Sequence, residues 1–198
     1  MKGCRPLSEE EIQRALQAFE GGSMLRDRAL FLLGVRSGFR ISELLSLRLR
    51  DVCPRGRLGA PVSERVGVAR RHMKKKIEGR AVLLHPEARA ALEAWIEEMA
   101  RRGPLAAETF VFLSRKGQKE AVSRVQAYRI LRGAFEKAGV EGPLGTHTMR
   151  KTFANRVHER LGRDLLKTQR ALGHKNINST VSYLSFQQDE IDEAILGM

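Results

Sequence analysis

An ordered set of basic residues, closed by a single tyrosine, constrains this chain more than any other feature. Arg40 comes first, then His147 and Arg150, then Leu172-Gly173-His174, and last Tyr183. If these residues share one task, the fold must bring the last quarter of the chain back to a turn in its first quarter. The local spacings fit a shared site. His147 and Arg150 stand at i and i+3, so a helix places them on one face a turn apart, and Arg40 and Glu43 repeat that spacing. Asn176-Ile177-Asn178-Ser179 reads as a short polar link, across which His174 and Tyr183 can face one pocket. Tyr183 is one of only two tyrosines, so it is not picked from a crowd.

This set matches what breaking a phosphodiester requires. The substrate is anionic, and attack on phosphorus adds charge to its non-bridging oxygens. A guanidinium pairs with two such oxygens at once and stays charged at any working pH. Arg40 and Arg150 can therefore clamp the transition state, where preorganised charge contributes most. A phenol of pKa ~10 is mostly protonated at neutral pH and needs a proton acceptor or cationic neighbours before it attacks. His147 or His174 can supply either. The leaving 5′ oxygen needs a proton in turn, and a lysine on a loop is a suitable donor. None of these steps calls for a metal, a nucleotide or any other cofactor.

At these residues the chain resembles the tyrosine recombinases, the family of phage integrases, integron integrases and Xer-type resolvases. Ser37-Gly38-Phe39-Arg40-Ile41-Ser42-Glu43-Leu44-Leu45-Ser46-Leu47 is similar to the family's first motif box. Thr146-His147-Thr148-Met149-Arg150-Lys151-Thr152-Phe153-Ala154 is similar to the second, with Met149 where leucine is usual. Leu172-Gly173-His174 and Thr180-Val181-Ser182-Tyr183 complete the order. The resemblance implies that Arg40 and Arg150 bind the scissile phosphate and that His147 acts in general acid-base catalysis. It further implies that His174 stabilises the phosphorane, that Tyr183 becomes a 3′-phosphotyrosine, and that Glu43 is a supporting acid. The family's catalytic lysine lies in a β-hairpin between the boxes. Here Val66 to Met73 and Arg80 to Leu84 flank Lys74-Lys75-Lys76 and Glu78-Gly79, which reads as two short strands around a turn. Lys74, at the end of the first strand, is the favoured catalytic lysine, with Lys75 in support and the register open by one or two positions.

Charge agrees with double-stranded DNA as partner. Thirty-six Lys plus Arg against 23 Asp plus Glu leave +13, with a pI near 10.5, the electrostatic footprint of a polyanion binder. Basic character alone also fits RNA binding or plain solvated charge; the ordered residues decide between them. Each residue taken singly has a bland role: Tyr183 a half-buried packing residue whose neighbours Val181 and Leu184 look like core, His174 a turn residue, Arg40 a partner for Glu43, His147 and Arg150 an ordinary helix start. It is their joint order that carries the reading. Tyr128 reads as core, and His72, His85 and His158 as structural or solvated. Lys116 and Arg124 are weak candidates for DNA backbone contacts.

The apolar run Ala29 to Leu33 is too short to span a membrane, and no charged-then-apolar leader opens the chain. Two cysteines, Cys4 and Cys53, without a CxxC pair or metal-type histidine spacing, fit a reduced cytoplasmic protein with no metal centre. The periodicity predicts helices over about 9–20, 25–36, from Ser42, from Pro86 to before Gly103, from Ser123 to Gly139, 147–161 and 164–172. The fold class expected is mainly α with a small antiparallel β-sheet (α+β), the tyrosine-recombinase catalytic-domain fold. Residues 1–198 read as one catalytic domain without the N-terminal core-binding domain usual in the family, because Arg5-Pro6-Leu7-Ser8-Glu9 resembles the opening of the catalytic domain itself. Residues 186–198 read as a tail helix that packs either on its own domain or on a neighbouring protomer. The expected activity is site-specific DNA recombination, by a protein monomeric in free solution and homotetrameric on DNA. A type IB topoisomerase, which rejoins its own strand, and a catalytically silent DNA-binding regulator are the two alternatives.

Overall fold

The computed structural model describes residues 3–53, 61–68, 80–114, 120–184, 192–193 and 195–198. They divide into two compact units, Met1–Phe153 and Ala154–Met198.

In the first unit α1 (Glu9–Ala18) opens with a capping box. The Ser8 side chain accepts from Glu11 N, and the Glu11 carboxylate accepts from Ser8 N. Helix α2 (Met24–Ser37) is apolar on almost every side, with Ala29, Leu30, Phe31, Leu32, Leu33 and Val35 all buried, as a central helix must be. Phe31 meets Phe19 at 5.6 Å and Phe135 edge-on at 6.0 Å between ring centroids. Two short helices follow, α3 (Ile41–Ser46) and α4 (Leu49–Val52), and sequence periodicity anticipated only the first. Strands β1 (Arg65–Val68) and β2 (Arg80–Leu83) pair antiparallel, with Arg65 opposite Leu83 and Val68 opposite Arg80. The small sheet therefore forms where expected. Helix α5 (Pro86–Arg102) starts on proline and packs along α2, and Trp95 Nε1 donates to Val111 O at 2.7 Å. Helix α6 (Arg124–Lys137) is capped by Ser123 and packs on α1.

Helix α7 (Thr146–Arg160) carries the boundary between the units. Its opening turns close on α2, where Gly34 leaves room for Met149; a Cβ at Gly34 would collide with the Met149 sulfur. The second unit continues with α8 (Leu165–Leu172), capped by Asp164, and α9 (Ile177–Val181), which packs on α8.

Three expectations need correction. Asn176-Ile177-Asn178-Ser179 is no loop: Asn176 caps α9, its side chain accepting from Asn178 N at 2.8 Å. Tyr128 is 47% exposed instead of core, and Val181 is 38% exposed while Leu184 is buried. The expected tail helix is not among these corrections, because it falls largely outside the described residues. Ile195 and Leu196, which are helical, are exposed.

Candidate active site

Helix α2 ends at Gly38, whose φ of +64° is the left-handed region that favours glycine. A side chain there would also run into the Phe153 ring. The chain then turns through the buried Phe39 to Arg40, which sits at the N-cap of α3 in extended conformation. One carboxylate organises this turn. Glu43 accepts the Arg40 backbone N–H at 2.7 Å and the Arg40 guanidinium at 3.0 Å. The helix start and the aim of the guanidinium are thereby fixed together.

Arg150 is 2% exposed and donates through Nη1 to the carbonyl of Gly38. The second arginine is thus tied to the turn that carries the first. His147, one helical turn earlier on α7, is exposed. Around it the helix start is well held: Gly145 N donates to Thr148 Oγ1 at 3.0 Å, and Thr152 Oγ1 donates to Thr148 O at 2.8 Å.

In the second unit, α8 stops on Gly173, again left-handed at φ +62°, and its N–H donates to Arg170 O at 3.0 Å. That turn delivers His174, which is buried. Its Nδ1 lies 3.0 Å from the hydroxyl of the buried Thr180, and its carbonyl accepts from Gln169 Nε2 at 3.1 Å. The His174 and Tyr183 rings stand 5.4 Å apart at 41°. The Tyr183 backbone is anchored on both sides: its N–H donates to Thr180 O at 2.9 Å, and its carbonyl accepts from Asn155 Nδ2 at 3.0 Å. An imidazole with a fixed ring nitrogen beside a phenol can donate a hydrogen bond to an anion or shuttle a proton.

Arg40, Glu43, His147 and Arg150 therefore belong to the first unit, and His174 and Tyr183 to the second. Lys74 and Lys75 lie outside the described residues, as does Lys116; β1 and β2 flank the lysine run. Arg124 is exposed at the start of α6. Sequence reasoning missed Thr180 and Asn155. Thr180 had a signal, since it precedes Tyr183 by one helical turn; Asn155 had none. Among the described residues, no three His, Cys, Asp or Glu side chains gather to hold a metal ion.

A model of the phage integrase family matches residues 5–190. The chain belongs to that family. Its relatives include a probable integrase/recombinase, YoeC, of Bacillus subtilis, 33% identical over 92% of this chain and 89% of that protein. The type 1 fimbriae regulatory protein FimE of Escherichia coli is 34% identical over 92% of this chain and 86% of its own length. The tyrosine recombinase XerD of Listeria monocytogenes is 30% identical, and there the match spans 89% of this chain but 56% of XerD. Among solved structures, the XerA recombinase superposes with a TM-score of 0.74 at 24% identity, covering 98% of this chain and 65% of that one. The XerH recombinase bound to its difH substrate gives 0.69 at 24% identity, covering 96% and 53%. At that identity they show the fold, which is the helical body with a small antiparallel sheet expected of an integrase-family catalytic domain.

Proposed function

We propose that this chain, a site-specific DNA recombinase of the tyrosine class by its family, cuts and rejoins double-stranded DNA through a covalent 3′-phosphotyrosine at Tyr183. The observation that carries this reading is the ring pair of His174 and Tyr183, with His174 fixed by Thr180 and the Tyr183 backbone held at both ends. Tyr183 attacks the scissile phosphorus, the bond to the 5′ oxygen breaks, and that oxygen leaves as a hydroxyl with a proton from Lys74 or Lys75. Arg40 and Arg150 neutralise the non-bridging oxygens. His147 handles the proton of the phenol, and His174 donates a hydrogen bond to the phosphorane. Attack by a 5′-hydroxyl of a partner strand on the phosphotyrosine then reseals DNA, so bond energy is conserved without ATP or metal.

Residues 1–198 serve as one catalytic domain, monomeric when free and tetrameric on DNA, with the tail from 186 docking on a neighbouring protomer. A duplex nicked near the cleavage point traps the intermediate, because the short fragment carrying the 5′-hydroxyl diffuses away. Incubated in EDTA and denatured, the wild-type protein should give a protease-sensitive adduct. Tyr183→Phe should abolish it while DNA affinity stays within about twofold. A DNA-binding protein that forms no adduct would be the silent regulator instead. Relaxation of supercoiled plasmid by Tyr183→Phe at the wild-type rate would refute the phosphotyrosine.

A further inference from the structure

Residues ahead of α1 form a strap over the approach to α7. Arg5 N donates to Pro143 O at 3.0 Å. The Arg5 side chain donates twice to Glu141 O, from Nε at 2.9 Å and from Nη2 at 2.5 Å. Two residues on, Leu7 is buried and its N–H donates to Thr152 Oγ1 at 2.9 Å. The strap therefore grips residues 141–143 on one side and Thr152 on the other, and the stretch between contains His147 and Arg150.

The guanidinium is itself held. Nη1 and Nη2 reach the two oxygens of Glu11 at 2.8 and 2.5 Å, and Glu11 Oε2 also accepts Ser8 N at 2.9 Å. A two-point arginine–carboxylate pair has little freedom to swing. Its Nη1 also donates to Pro6 O at 3.0 Å. On the receiving side residues 141–143 are exposed, between the buried Val140 and Leu144. Gly142 has φ +107°, and a Cβ there would stand 2.8 Å from Arg5 Nε. Arg5 thus occupies the space that a side chain at 142 would fill. Val140 and Leu144 anchor the two ends of this loop in the core, and between them residues 141–143, which lead into a helix whose second residue is His147, are bonded to Arg5.

We infer that Arg5 is a positioning residue for the reaction: by fixing residues 141–143 it sets the entry to the first turn of α7 and so the place of His147. This rests on the role given above to His147. Misplacing a reacting group by a fraction of an ångström costs rate without costing affinity. The strap therefore acts on the chemical step, and DNA binding, spread over many basic residues, is left alone.

The test uses the full chain with Arg5→Ala, Arg5→Lys, His147→Ala and the double variant Arg5→Ala/His147→Ala. Hydrogen exchange of the free protein comes first. Arg5→Ala should speed exchange at the amides of Gly145 and Thr148, both bonded within the turn, by about tenfold, with the α2 amides unchanged. No change at Gly145 and Thr148 overturns the strap. The second readout is the rate of adduct formation on the nicked duplex at saturating DNA. Arg5→Ala should slow it about tenfold with affinity within twofold, and Arg5→Lys should recover part of the loss. In the His147→Ala background, Arg5→Ala should cause no further slowing, because groups acting through one another are not additive. An undiminished Arg5 effect in that background would mean general destabilisation and would defeat the inference. If the wild-type protein forms no adduct, the proposed chemistry fails, and the exchange result alone decides whether the strap exists.

Discussion

Glu43 shows how much a single side chain carries in this molecule. Its carboxylate accepts from both the backbone and the guanidinium of Arg40, and its side chain is 12% exposed against 35% for Arg40. Glu43→Gln keeps the shape but removes the charge that aligns the arginine, so adduct formation should slow by about tenfold or more, measured on the nicked duplex at saturating DNA; an unchanged rate would make Glu43 a helix cap only. Glu11 allows a test by pH. The hydrogen bonds from Arg5 hold its carboxyl below the usual carboxylate range. A carboxyl with a depressed folded value stabilises the fold above its unfolded value, about 4.3, and loses that contribution as the pH falls through the folded value. Glu11→Gln should therefore melt a few degrees below the wild type at pH 7, roughly the shift expected for ~1 kcal/mol in a chain of this size. The gap should close as the solution is taken below about pH 4. Thermal melts across that range check it, and a gap that widens on acidification would contradict the pairing. At this scale the candidate site residues stood out in the sequence because their chemistry is scarce and their spacing helical. Asn155 did not, since an amide that braces a neighbour looks like any surface polar residue until the fold assembles it, and Thr180 showed only its place one helical turn before Tyr183.

Turns, more than helices, place the candidate site residues, and two of these turns end on left-handed glycines, Gly38 before Arg40 and Gly173 before His174. Gly38 is the more demanding. Alanine there would meet both the cost of a positive φ, about 1–2 kcal/mol, and a collision with the Phe153 ring. Gly38→Ala should lower the denaturation midpoint and also slow the cleavage step, because the Gly38 carbonyl receives Arg150. A stable variant with full cleavage rate would show that the turn has slack. The long helices were readable from their caps and apolar spacing, Ser8 with Glu11 and Pro86 among them. Misreadings arose where the pattern is ambiguous. Tyr128, Leu131 and Phe135 look like one apolar face, but the buried residues of α6 are Ala127, Leu131, Ala134 and Phe135, which centres the face elsewhere and leaves Tyr128 at its edge, its ring beside Gly145. Helix α9 escaped notice because Asn176, Asn178 and Ser179 mask its period, and one buried residue, Thr180, is polar.

Charge is distributed unevenly over the whole molecule. Residues 154–198 hold six basic and six acidic side chains, so the net +13 resides entirely in residues 1–153. Within the second unit the signs separate along the chain. All six basic residues fall between Arg156 and Lys175, whereas Asp189, Glu190, Asp192 and Glu193 leave the stretch after Leu184 with a charge of −4. A polyanion approaching a protein of this kind is attracted by one part of the sequence and repelled by another, and both forces act over the Debye length, about 10 Å at 0.1 M salt. Ending the chain after Leu184 removes those four acidic residues and no basic one. Affinity for a duplex of arbitrary sequence should then rise at 50 mM salt, and the advantage over the full chain should shrink to nothing by about 500 mM, since counterion-driven binding itself fades with salt. Fluorescence anisotropy titrations at several salt concentrations give both lines on one plot. Equal affinities at low salt would place the acidic stretch beyond electrostatic reach of bound DNA, and a lower affinity for the shortened protein would mean that the tail contributes contacts that outweigh its charge.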